Sequence, residues 1–163
     1  MALDQRLFEQ LNSAYAALGR RASALKVALT EAGERASWNW YAYHSTLIDG
    51  EYRVEEFPIP VVEVEGLCDI GFHMDEIFVE FRLSFDHAFG FDFGQLPQPF
   101  EVYGAEDYFH NFYTDGMDPD GIAARIMGSG EQEVCVSINL PGDTETDVLT
   151  ALTADCRRWL SKH

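Results

Sequence analysis

From Leu67 to Phe85 the chain alternates apolar and polar residues through LCDIGFHMDEIFVEFRLSF. Cys68, Ile70 and Phe72 fall on one side, and Ile77, Val79, Phe81, Leu83 and Phe85 do so again. Phe78, Glu80, Arg82 and Ser84 occupy the opposite side. A period of two, rich in aromatic and β-branched residues, predicts two half-buried strands and a tight turn. This hairpin is the expected centre of the sheet.

The flanking pattern supplies the other elements. Leu3, Leu7, Leu11, Ala14, Tyr15 and Leu18 follow helical spacing, and Leu25, Ala28, Leu29 and Ala32 continue it. A helix is expected over 3–32, with a break or kink at Gly19 and Arg20-Arg21 and an end at Gly33. Asp49-Gly50 predicts a type I′ hairpin between strands at 38–48 and 51–57. Pro58 and Pro60 interrupt the next run and place it at an edge or a bulge. A short strand is expected at 62–65. Residues 86–99 read as a loop, although Phe89, Phe91 and Phe93 are too apolar to lie loose; they plug the core or line a surface. Phe100 and Val102 suggest a brief strand, and 105–113 a short helix. Asp118-Pro119 begins another helix over 122–127. Glu133–Leu140 is a strand. A final helix is capped by Asp143 or Thr144, and Val148, Leu149, Leu152, Cys156, Trp159 and Leu160 form its buried stripe. The fold class is α+β, with the N-terminal and C-terminal helices packed on a mostly antiparallel sheet.

Composition narrows the class. The chain has 163 residues, 47% of them hydrophobic. One domain spanning 1–163 and a substantial core are expected. The net charge is −17. Such a field repels polyanions, so direct nucleic-acid or anionic-membrane binding is not expected. Cys68, Cys135 and Cys156 are odd in number and scattered, which points to a reducing compartment. The N-terminus lacks an apolar signal segment, and no stretch reaches membrane-spanning length. A cytoplasmic location is expected.

The order of elements, the size and the acidity resemble the secretion-chaperone-like fold over most of the chain. That resemblance implies a small acidic homodimer that holds a protein or peptide partner.

Candidate chemistry is sparse. His73 lies near Asp69, Asp75 and Glu76, but Asp69 and His73 are about 13 Å apart along an extended strand, too far to share an ion. Asp86-His87 reads as a loop pair. The segment DGMDPDG, residues 115–121, is no calcium loop, because aligning Gly121 with the loop glycine puts Met127 where the bidentate glutamate belongs. No cofactor or metal site is expected, and no catalytic residue is assigned. The remaining constellation is aromatic. Trp38, Trp40, Tyr41, Tyr43 and His44 lie on one predicted strand, and Tyr103, Tyr108, Phe109, His110, Phe112 and Tyr113 lie downstream. Of these, Trp38, Trp40, Tyr41, Tyr43, His44, Tyr108, His110 and Tyr113 are the candidate binding residues. Were the two groups to meet, they would wall a pocket with His44 or His110 as its polar handle.

Two readings follow. The first is a non-enzymatic binding or adaptor protein holding a peptide or protein partner. The second is a small enzyme or ligand-binding protein that uses the aromatic pocket, with His44 or His110 and a nearby carboxylate as acid–base. A third, an acidic mimic of nucleic acid, requires carboxylates spaced like phosphates on one surface.

Overall fold

A computed structural model describes residues 5–45, 55–107, 110–114 and 117–161. The chain runs α1 (Gln5–Glu31), β1 (Ala36–Ser45), β2 (Glu55–Val64), β3 (Cys68–Phe72), β4 (Glu76–Ser84), α2 (Phe85–Gly90), β5 (Phe100–Gly104), β6 (Asn111–Tyr113), α3 (Ile122–Met127), β7 (Glu133–Pro141) and α4 (Thr146–Leu160). Single 3₁₀ turns occupy Phe93–Gln95 and Pro119–Gly121. The strands form one antiparallel sheet in the order β1-β2-β3-β4-β7-β5-β6. The α+β class expected from the pattern is the class observed.

The central hairpin forms as its alternation requires. Ile70 pairs with Val79 and Phe72 with Ile77. On β4, Ile77, Val79, Phe81 and Leu83 are buried while their alternates face outward. Phe85 does not extend that strand; it opens α2, whose N-cap Ser84 accepts from the His87 N–H at 3.4 Å. β7 lies against β4 along its whole length, from Glu76↔Pro141 to Ser84↔Glu133, and β5 lies on its other side.

All helices cover one face. Leu18, Ala22, Leu25 and Leu29 of α1 and Leu149, Leu152, Cys156 and Trp159 of α4 join the core residues of β2, β3, β4 and β7. Ile122 and Ile126 of α3 close the same core beneath β5 and β6. The loop phenylalanines divide. Phe91 and Phe93 are buried against each other at 5.0 Å, whereas Phe89 is 61% exposed. α1 continues through Gly19 and Arg20-Arg21 without a break, and Gly33, at φ +92°, follows its end. Its described side chains before Ala14 are all exposed, so the first turns overhang the sheet.

Several expectations need correction. The described residues of the helix expected over 105–113 are not helical. The Gly104 N–H donates to the His110 carbonyl and the His110 N–H to the Asp107 carbonyl, which folds the chain back so that β6 pairs with β5. The prolines do not split β2, which is one strand from Glu55 to Val64. Both take their place in the ladder with β1, opposite Ala42 and Trp40, while pairing with β3 begins only at Val61. The residue before α4 is Glu145, with no side-chain cap; the Thr144 hydroxyl instead donates to the Pro141 carbonyl at 2.6 Å. Val148 leaves the expected stripe and is 52% exposed. The Asp49-Gly50 turn lies outside the described residues.

Candidate functional site: an acidic row on the open face of the sheet

The second face of the sheet carries no helix among the described residues. Strand register decides what that face presents. Ser37 pairs with Glu63, Glu63 with Asp69, Asp69 with Glu80, Glu80 with Ser137, and Ser137 with Glu101. These residues therefore form one row running across six strands. Adjacent strands are about 4.8 Å apart, so Glu63, Asp69 and Glu80 stand as directly opposed carboxylates. Like charges directly opposite each other destabilise a sheet, by up to about 1 kcal/mol per pair.

The ends of this acidic triplet are held in place. The Tyr41 hydroxyl donates to Glu63, and the Tyr103 hydroxyl donates to Glu80. Asp69, between them, has its carboxyl pushed above the usual carboxylate range, first by desolvation and then by Glu63 and Glu80, with Arg82 opposing. The bond to Glu63 likewise holds the Tyr41 phenol above its ordinary value. Cys135, buried beside Glu80, has its thiol pushed up to about 12, mainly by burial. Glu76 and Glu133 share this face by alternation, as does the basic Arg82. Such a surface can attract and orient cations.

The aromatic candidates fall elsewhere. Trp38 and Trp40 point to the helix-covered side of β1. Trp38 Nε1 donates to Ser23 Oγ at 3.1 Å, and Trp40 packs edge-on to Trp38 at 5.9 Å and Tyr15 at 6.4 Å. Trp40 remains 39% exposed at the sheet's edge. Of the described side chains of β1 named above, Tyr41 joins the acidic row. The side chains of Tyr43 and His44 are outside the described part of the structure, and Tyr108 lies outside it altogether. Tyr113 is a core residue, stacked on Phe100 at 4.4 Å with its hydroxyl 3.3 Å from Gln98 Nε2. β1 and β6 are opposite edges, six strand spacings or about 29 Å apart along the sheet. The two aromatic groups are not brought together, and the pocket expected between them is not formed by the described residues.

Of the other polar candidates, His73 is half-buried with its ring 5.5 Å from Phe78, and burial lowers its pKa despite Glu76 and Asp75. Asp118 accepts from the Asp120 N–H at 3.0 Å, a local cap. No group of three metal-ligating side chains is arranged around one ion among the described residues. His110 meets a carboxylate that the sequence did not single out, Glu131, at 3.1 Å. Glu63, Asp69 and Glu80 were visible in the sequence only as outward positions of strands; their alignment depends on pairings between segments.

No protein-family model matches this chain, and no curated protein matches it. Among solved structures, a conserved hypothetical protein from Pyrococcus furiosus is similar, with a TM-score of 0.72 and 20% identity, over 96% of this chain and 98% of that one. At this identity the likeness shows the α+β fold alone. No helix among the described residues is long and apolar enough to cross a membrane.

Proposed function

We propose that this is a non-enzymatic binding protein that holds a basic, extended segment of a protein partner on the open face of its sheet. One observation carries the reading: Glu63, Asp69 and Glu80 are aligned at a cost to the fold, and two tyrosines orient the outer pair. A positively charged ligand removes that cost, because each carboxylate then has an opposite charge within reach. The net charge of −17 adds long-range attraction for the same class of partner. The resemblance to the secretion-chaperone-like fold favours a partner-holding role as well. It also implies a homodimer, for which edge strand β1, ten residues long, is the natural seam.

Calorimetric titration with a lysine- and arginine-rich peptide tests the binding surface. Replacing Glu63 and Glu80 by Gln and Asp69 by Asn together should weaken binding about tenfold or more at low salt. Raising salt from 0.05 to 0.5 M (chosen to shrink the Debye length from about 14 Å to about 4 Å) should weaken wild-type binding too. Equal affinity of wild type and the triple variant would overturn the assignment of this face. Native mass spectrometry of the same samples reads the oligomeric state.

A further inference from the structure

β5 ends at Gly104, and the chain returns into β6 through a loop carrying Asp107 and His110. Glu131, just before β7, reaches into this corner. Its side chain is 4% exposed, and its Oε1 lies 3.1 Å from His110 Nδ1. On the far side of the ring, His110 Nε2 lies 3.8 Å from Asp107 Oδ2. The corner is built around Glu131. Ser129 Oγ accepts from the Glu131 N–H at 3.1 Å. Residue 104 must be glycine, because a Cβ there would stand 2.4 Å from Glu131 Oε1. Yet Glu131 Oε2, enclosed as it is, meets no hydrogen-bond donor among the described residues. A buried carboxylate oxygen left unpaired is costly, and native folds rarely retain one without a use.

We propose that this corner is a slot for the guanidinium group of a partner's arginine side chain, a place that the His110 imidazole now fills. An imidazole has at most two N–H donors, one on each side of its ring, so it faces both carboxylates but leaves Oε2 bare. A guanidinium is also planar and presents five donors in a fork. It can bond both oxygens of Glu131 in the bidentate manner and still face Asp107. His110 is 48% exposed and stands at the edge of the sheet, so its side chain can swing into solvent without unpairing a strand. A metal ion is the poorer occupant, because the two carboxylates approach opposite ring nitrogens and do not converge on one point. This inference names a side chain of the basic partner and rests on that reading. Its site is separate, since a Cβ on Gly104 would point to the helix-covered side, as those of Phe100 and Val102 do, away from the acidic row.

The test is an NMR titration of the full chain with N-acetyl-arginine amide, following the His110 ring resonances and, in every variant, the broadening of the ligand's own guanidinium-side resonances. Saturable displacement is expected, lost in Glu131→Gln and strengthened about tenfold in His110→Ala, where the slot is already vacant. The Glu63, Asp69 and Glu80 triple variant should titrate like wild type even as it loses the basic peptide, which separates failure of this slot from failure of the acidic row. Gly104→Ala, whose Cβ would crowd both Glu131 Oε1 and the Asp107 carbonyl while keeping every charge, should also abolish the response. The inference is overturned if the His110 ring does not respond, if N-acetyl-lysine amide acts equally well, if Glu131→Gln retains the response, or if only His110→Ala binds.

Discussion

Asp69 sits between Glu63 and Glu80, where burial and both neighbours oppose its ionisation. Its pKa in the fold lies above its unfolded value, so ionisation is penalised only in the folded state. The penalty is absent below the unfolded pKa, near 3.9, and is complete once the pH exceeds the folded pKa. Asp69→Asn should therefore melt about 1–3 °C higher than wild type at pH 7, with the gap closing as the pH falls toward 3. Thermal melts across that range decide the matter; a variant less stable than wild type at pH 7 would show that Asp69 serves the fold rather than a ligand. Residue-level chemistry of this kind was only partly legible in the sequence. Glu80 could be placed on the outward side of its strand, but nothing in the linear order aligned it with Asp69 and Glu63. Glu131 was less visible still, because Gly128-Ser129-Gly130-Glu131 reads as a polar turn.

At the level of elements, Arg21 ties α1 to the turn between β7 and α4. Its guanidinium donates to the carbonyls of Gly142 and Thr144 and lies 5.4 Å above the Phe72 ring. Arg21→Ala should cost about 2–3 kcal/mol, from two charge-assisted bonds and a partly buried cation–π contact. Arg21→Lys should recover less than half, because an ammonium cannot reproduce the planar fork. Urea unfolding of both variants gives the comparison, and full recovery by lysine would reduce the contact to simple charge. A second tie joins α4 to the connection between α1 and β1, where Arg157 Nε donates to Glu34 at 2.7 Å. Strands with a clean period of two, β3, β4 and β7, were readable because one face of each is buried. β6 was not, because aromatics at Phe109, Phe112 and Tyr113 also suit a helix, and pairing with β5 overrides local pattern there. The prolines of β2 misled for a related reason: whether a missing N–H matters depends on a neighbour far away in sequence.

Over the whole molecule, the three cysteines report on global opening. Cys68, Cys135 and Cys156 are buried and form no disulfide. A hydrogen bond with Cys156, together with burial, pushes the Cys68 thiol above its ordinary value. Thiolates are the reactive species, so the native protein at pH 8 should resist a disulfide reagent such as Ellman's, while the denatured chain reacts at every cysteine. Fast labelling without denaturant would mean that the core opens locally. The sheet order has a consequence for synthesis. β1–β4 and β5–β6 share no strand pairing with each other; both pair with β7, which follows them in sequence yet lies between β4 and β5. A nascent chain therefore carries two half-sheets with unmatched inner edges until Glu133–Pro141 has left the ribosome. Only when that strand threads between them does the sheet close, so its assembly waits on the synthesis of β7.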